Sequence, residues 1–478
     1  MNRKFFSICF YCILSLRFTF AQVQYILYGM TYSGGINDYG VIFSYNINTS
    51  TFSKLYDFTG GANGGLPSGS LRKDANGNLV GMTTYYGNYN AGTLFSFNPL
   101  STAYSKLLDF DGNYNGACPT GSVVQISANQ LYAMTSGGGT GGGIIFSYNL
   151  QTNVFANKHN FNSSVDGSIP YGDLMLASDG NLYGMTAFGG DNGVGIIFKF
   201  DPNNYVTPFT KLCSFSSSQT GANPYGSLLE ALDGNFYGMA CNGGQHSMGT
   251  IFKFNPINSS ITKIVDFETA KGSSPSGSLI QAADGMMYGL TSGGGNSNYG
   301  TLFQYNPNTG IYTVKHYFNN TEGRQPGGSL VEASDGNLYG LTTYGGANDQ
   351  GVLFKYNPVN SSYTKLFDFK GSISGSNPKY TTLIEIRSDV SDVENYLNDD
   401  IEILNLQSSK EINIKLPESL SNSNIYIDIY NLFGEKLLSF NQINNSNLKI
   451  DLSHYPDGIY ILKIQQNNKI CIKKLYVG

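Results

Sequence analysis

Asp335-Gly336-Asn337-Leu338-Tyr339-Gly340-Leu341-Thr342-Thr343-Tyr344-Gly345-Gly346, followed closely by Gly351-Val352-Leu353-Phe354-Lys355-Tyr356, is the stretch whose reading decides the fold. Asp-Gly-Asn is hairpin chemistry, because the bend needs positive φ. The run after it is short, apolar and aromatic, which favours a strand over a helix. A Gly pair ends that run, and a second run of the same kind begins five residues later. The stretch therefore predicts two neighbouring strands joined by a glycine-rich loop.

The same stretch recurs along the chain. Its Tyr-Gly core appears as Tyr28-Gly29, Val80-Gly81, Tyr132-Ala133, Tyr183-Gly184, Tyr237-Gly238, Tyr288-Gly289 and Tyr339-Gly340. The steps between second positions are 52, 52, 51, 54, 51 and 51 residues. The Phe of the second element recurs at Phe43, Phe95, Phe146, Phe198, Phe252, Phe303 and Phe354. A third element ends in Phe58, Phe110, Phe161, Phe215, Phe267, Phe318 and Phe369, and a fourth follows Pro67, Pro119, Pro170, Pro224, Pro275, Pro326 and Pro378. Four short apolar runs per unit, repeated at this period, specify a β-propeller. The expected fold is all-β, a seven-bladed β-propeller over residues 22–386 in repeats of about 51 residues. The repeat region opens without a fourth-element strand and closes on an unpartnered one, Thr382-Leu383-Ile384-Glu385-Ile386. That strand is expected to complete the first blade, which leaves no open sheet edge.

These units resemble the GloVer tandem repeats (Gloeobacter/Verrucomicrobium type), whose pattern is D-G-N-L-Y-G-M-T-x-x-G-G and then G-x-I-F-x-Y. Asp335 to Gly346 and Gly351 to Tyr356 carry it nearly complete, and all seven units, residues 23–386, share it. The resemblance implies a secreted or surface-anchored propeller-like protein. Kelch propellers also carry a Gly pair but have a characteristic Trp, and this chain has none.

Composition agrees with strands and turns. Charged residues make up 13% of 478, against about 25% in an ordinary domain, and Gly numbers 59. Residues 1–21 read as a secretory signal peptide. Arg3 and Lys4 precede the apolar stretch Phe5 to Leu16, and Thr19-Phe20-Ala21 places cleavage between Ala21 and Gln22. Tyr11 before Cys12 excludes a lipoprotein signal. Cleavage would take the net charge from −5 to −8 by removing Arg3, Lys4, Arg17 and no acid. An acidic surface without a basic run excludes nucleic acid as partner. No later segment is long and apolar enough to be a transmembrane helix. Of the cysteines that remain, Cys118, Cys213, Cys241 and Cys471, the pair Cys213 and Cys241 sits in neighbouring units. A disulfide or two free thiols fits that placement.

After Ile386 the pattern changes. Residues 387–398 are a polar linker, and residues 399–478 alternate strictly, as in Ile425-Tyr426-Ile427-Asp428-Ile429-Tyr430. About seven strands here predict a small Ig-like antiparallel β-sandwich. Ile427 to Lys436 with Gly434, Ile450-Asp451-Leu452-Ser453, Pro456-Asp457-Gly458-Ile459-Tyr460 and Lys473-Lys474-Leu475 look like the type A C-terminal sorting domain of the type IX secretion system of Bacteroidota. The usual Pro-Asn-Pro opening is missing near Asn398. The resemblance implies recognition by the outer-membrane export machinery, and a secreted or cell-surface location after passage through the periplasm.

No motif for a cofactor, a metal or covalent catalysis appears in residues 22–478. His159 and His316 occupy the place of Tyr56, Leu108 and Phe367 in other units, which makes them packing residues. Asp57, Asp109, Asp266 and Asp368 recur before the third-element Phe in four of the seven units, and symmetric copies do not form a hydrolase carboxylate pair. Binding belongs on variable loops carried by a rigid scaffold. The loops after the Tyr-Gly-Met strands, with Tyr32, Tyr85, Tyr86, Phe188 and Tyr344, are expected to share one face with the loops before each Pro. This face is the candidate site, with aromatic platforms for a glycan or protein ligand. The functional expectation is a non-catalytic binding or interaction module. The alternative is an extracellular enzyme acting on polysaccharide or peptide in the channel, which unit-to-unit uniformity disfavours.

Overall fold

A computed structural model describes residues 24–388, 402–406, 410–415, 425–431, 436–440, 447–456, 458–466 and 469–477. The expected signal peptide with Ala21 and Gln22, most of the linker, and Gly434 lie outside the described residues. Contacts divide the chain into Tyr25–Arg387 and a second unit holding Ser388–Gly478.

Tyr25–Arg387 contains seven four-stranded antiparallel sheets among the described residues, in a propeller-like arrangement. Six follow chain order. One example is Leu229–Glu230, Phe236–Ala240, Thr250–Asn255 and Ser260–Asp266. The remaining sheet joins Ile384–Ser388 to Gln24–Thr31, Val41–Asn46 and Thr51–Asp57, as the sequence predicts.

Register explains the Tyr-Gly core. Gly29 lies opposite Phe43, and Gly238 opposite Phe252. A Cβ on Gly238 would strike the Phe252 ring, so the aromatic lies flat across the strand because that strand has no side chain there. Each Phe of this set is fully buried, a gain of about 1.5–3 kcal/mol per side chain.

The core is a series of seven apolar clusters, each shared by two neighbouring sheets. Tyr28, Met30 and Phe58 pack on Leu71, Leu79 and Phe95 of the next sheet. The last cluster returns to the start: Tyr339, Leu341 and Phe369 pack on Leu27, Phe43 and Leu383. Ring stacking follows the same path. Tyr56 lies on Tyr104 at 4.5 Å, and Phe367 lies on Phe52 at 3.9 Å. Backbone bonds from Tyr32 N to Asn377 O (3.3 Å) and Ser33 N to Ser376 O (3.1 Å) join the two ends of the series.

Two features depart from the sequence reading. The fourth-element strands are mostly two residues long, such as Arg72–Lys73 and Ile280–Gln281, not four or more. The preceding Pro-x-Gly-Ser segment gives its backbone groups to the next unit instead of to its own sheet. Ser70 N donates to Ser122 Oγ, Ser227 N to Ser278 Oγ and Ser278 N to Ser329 Oγ, at 2.7–2.8 Å. The belt closes where Thr382 N donates to Ser70 Oγ (2.8 Å) and Gly69 N to Tyr380 O (3.0 Å). Each belt Gly abuts the carbonyl of the next, so a Cβ on Gly226 would collide with Gly277 O. The second departure is a bulge in every outer strand pair, as at Ile42/Phe43 and Leu353/Phe354. A bulge adds one residue to one strand. It lets Lys54 reach Asp57, and Lys365 reach Asp368, at 2.7 and 3.0 Å.

In the second unit, Glu402–Leu406, Glu411–Lys415 and Asn447–Asp451 form one sheet. Lys436–Phe440, Ile425–Asn431, Gly458–Gln466 and Lys469–Val477 form another. Alternate residues of both, among them Ile412, Ile414, Ile427, Ile429 and Leu462, share one buried core.

Gly226→Ala forces two belt backbones apart and is expected to cost about 1–3 kcal/mol, the scale of core overpacking. Gly137→Ala, whose new Cβ meets nothing closer than 3.5 Å, should stay within about 0.5 kcal/mol. Denaturant unfolding of the full chain compares them.

Candidate functional site

The residue after each Pro is the first that the belt leaves free to vary. In order these are Ser68, Thr120, Tyr171, Tyr225, Ser276 and Gly327, and then Lys379-Tyr380, where the last unit has one extra residue. They surround a cavity of about 660 Å³ lined by residues of all seven sheets. Tyr32 and Tyr85, from the loops after the Tyr-Gly-Met strands, complete its rim. Loop-to-loop bridges such as Gly65↔Tyr85, Ser168↔Phe188 and Ser33↔Ser376 bring the two loop sets together.

The rim is phenolic. Tyr171 meets Tyr225 edge-on at 5.0 Å. Burial, and after it neighbouring phenols or thiols, raises the hydroxyl pKa of Tyr32, Tyr171, Tyr225 and Tyr380. Tyr171 and Tyr380 are both among the groups acting on Tyr225, so phenols from three units face one space. Their hydroxyls are kept protonated, as donors. Lys379 Nζ sits 3.8 Å from the Tyr32 ring centroid and 5.7 Å from that of Tyr380. Burial holds its pKa below the ordinary lysine value.

The inner wall breaks the repeat at one place. Asp173 stands where five other units have the belt Ser, and Arg72 where the other six units have Val, Met, Leu or Ile. Arg72 Nη2 donates to Asp173 Oδ2 at 3.0 Å across two units. Asp173 Oδ1 accepts from Ser122 N at 2.6 Å. Glu332, also in the lining, accepts from Ala283 N through both oxygens, at 3.2 and 2.9 Å. These carboxylates are therefore engaged in holding neighbouring units.

A second cavity of about 820 Å³ adjoins the first through Ser276, Gly327, Lys379 and Tyr380. Tyr344 lines it. Thus Tyr32 and Tyr85 line the first cavity, Tyr344 the second, and Tyr86 and Phe188 neither. Tyr86 packs on Tyr39 at 4.7 Å. Sequence reasoning missed Arg72, Asp173, Tyr171, Tyr225, Lys379 and Tyr380. The signal was the variability of the position after Pro inside an otherwise constant motif.

The other candidates are structural. Asp57 Oδ1 accepts from Ile36 N (2.8 Å) and Asp368 Oδ1 from Ala347 N (2.8 Å), so these carboxylates pin the Gly-pair loops. Gly35 must be glycine there: its φ is +78°, and a Cβ would meet Asp57. Cys118, Cys213 and Cys241 are free, and burial pushes the thiols of Cys213 and Cys241 up to about 11. His159 lies flat on Phe209, and His316 on Tyr363, each at 3.9 Å. Among the described residues no three His, Cys, Asp or Glu side chains converge as a metal site. In the second unit Asp451 Oδ1 accepts from Ser453 N (2.8 Å), Leu452 is buried, and Tyr460 Oη donates to Pro456 O (2.6 Å). Gly458, Lys473 and Lys474 fall in its last two strands.

Residues 20–178 and 170–390 match the Gloeobacter/Verrucomicrobia repeat, and residues 408–478 match the secretion system C-terminal sorting domain. No curated protein matches the chain. Among solved structures, the chain is similar to a "putative 6-phosphogluconolactonase" from Bacteroides fragilis. The TM-score is 0.52 at 17% identity, covering 77% of this chain and 99% of that one. Its counterpart from Bacteroides uniformis gives 0.51 at 16%, covering 76% and 99%. A puromycin hydrolase gives 0.51 at 8%, covering 82% and 57%. At these identities the likeness is one of fold alone.

Burial lowers the pKa of His159 and His316, against the opposing pull of Asp166 and Glu322. The folded state thus holds both neutral, while the unfolded chain binds protons near pH 6.5. Stability should rise with pH up to about 6.5 and fall as pH drops below it. Thermal melts from pH 7.5 to 5 should show a shallower decline for His159→Phe/His316→Phe, Phe being the residue at 367.

Proposed function

Since the chain belongs to the Gloeobacter/Verrucomicrobia repeat family, we propose that its seven sheets are the blades of a closed seven-bladed β-propeller, residues 22–386, and that this propeller is a ligand-binding module. The sorting domain implies interaction with the type IX export machinery and a secreted or cell-surface location. Among the described residues, no helix is long and apolar enough to cross a membrane. The proposed chain organisation is a signal peptide cut between Ala21 and Gln22, the propeller, a linker at 387–398, and an Ig-like sorting domain at 399–478. Binding takes place at the mouth of the central channel.

One observation carries this reading: five tyrosines, Tyr32, Tyr85, Tyr171, Tyr225 and Tyr380, ring a cavity whose volume suits a small ligand. Tyr presents a flat apolar body and a polar tip, which suits the faces and hydroxyls of sugars. The Ser68 hydroxyl adds a group that both donates and accepts, while Thr84 and Thr120, whose hydroxyls donate to Pro119 O and Tyr171 O at 3.1 Å, add acceptors. Binding is favoured over turnover because Asp173 and Glu332 are already committed to Arg72 and backbone N–H groups.

A glycan array probed with the exported protein tests this. Tyr171→Ala/Tyr225→Ala should weaken retained glycans about tenfold or more, the scale of two lost ring contacts. The melting temperature should change little. Turnover of a retained glycan, abolished by Asp173→Asn, would replace binding with catalysis.

A further inference from the structure

We infer that the ligand of this mouth is an acidic glycan, a chain of sugars carrying a carboxylate that Lys379 receives, laid from the channel mouth outward through the gap over Ser276 and Gly327. The inference rests on the binding reading above and adds the ligand's charge, its length and its path.

Charge comes from Lys379. Six units place a neutral residue after their Pro, and the seventh places a lysine there, on an extra residue. Among the described residues Lys379 has no ion-pair partner; its ammonium rests on the faces of Tyr32 and Tyr380. By contrast, Arg72, the other cation in this lining, is engaged by Asp173. A half-buried cation held by aromatic faces keeps donors for an incoming anion. Burial also disfavours its charged form, a cost that a bound carboxylate would offset.

Length and path come from the two cavities. At about 660 and 820 Å³, each is within the range of a complete ligand site. They meet at Ser276 and Gly327, two small rim residues in succession, and Lys379 and Tyr380 border both. Tyr171 and Tyr225 line the first cavity alone, and the lysine stands at the joint between the two.

A glycan fits better than an acidic peptide. Peptides commonly add a strand to a free sheet edge. Here the inner edge strands beside the gap, Ile280–Gln281 and Val331–Glu332, are two residues long.

The test uses short oligouronates and the same chains with carboxyl groups reduced to alcohols, titrated against the exported protein. The acid form is expected to bind about tenfold tighter, the scale of one charge-assisted hydrogen bond. Lys379→Met should erase that preference while leaving the reduced chains bound, and Lys379→Arg should keep it. Gly327→Tyr should weaken longer chains more than a single sugar. Melting temperatures of all variants check folding. Equal affinity for acid and reduced chains, or a preference that survives in Lys379→Met, overturns the inference. Binding of oligoglutamate with the same Lys379 dependence overturns it in favour of a peptide. Neutral glycans bound through Tyr171 and Tyr225, with no acidic glycan bound, would sink this inference alone. No glycan bound at all would sink both readings.

Discussion

The belt around the axis is the constraint on which the rest depends. Seven backbone segments pass so close that glycine is the residue at six of the crossings, from Gly69 to Gly328. Carbonyls stand where side chains would be, and Ser or Asp side chains accept from the preceding unit's N–H. A buried N–H without a partner is costly, so each unit depends on its neighbour for completion. The seven apolar clusters impose the same rule, because none belongs to a single sheet. Association between sheets is the source of the core, and a lone four-stranded sheet would leave both faces wet.

The belt also builds the mouth. Pro fixes the approach and Gly fixes the crossing, which leaves one position between them whose side chain the crossing does not dictate. The proposed ligand site can therefore vary at Ser68, Thr120, Tyr171, Tyr225, Ser276, Gly327 and Lys379 without disturbing the belt. Arg72 and Asp173 show the same economy one step deeper. Asp173 still accepts the Ser122 N–H that a belt Ser would accept, and adds a charge for Arg72.

Much of this was legible in the sequence. The period, the four elements per unit and the strand completing the first sheet could be read because hydrophobic runs and turn residues encode local structure. Gly opposite Phe is the same kind of signal. Three features could not be read so directly. The outer-strand bulge leaves no gap in the apolar pattern, since Leu55 and Leu107 look like ordinary strand residues. The short inner strands looked longer because Pro-x-Gly-Ser-Leu is apolar at its end, while its N–H groups serve the neighbouring unit. The rim residues were passed over because convergence of positions some 51 residues apart exists only after closure. Tyr86 and Phe188 lie in visibly variable loops, but one packs on Tyr39 and the other lines neither cavity.

Closure itself is most directly tested by a bond across the seam. Ser33 and Ser376 are bridged partners with side-chain oxygens 3.0 Å apart, although 343 residues separate them. Facing residues at such a bridge meet the geometry a disulfide requires. With Ser33→Cys/Ser376→Cys, mild oxidation is expected to link the two positions within one chain, seen as a single cross-linked peptide by mass spectrometry. The melting temperature should rise on oxidation and return on reduction. Cysteines that stay unpaired, or pair only between molecules, would contradict it.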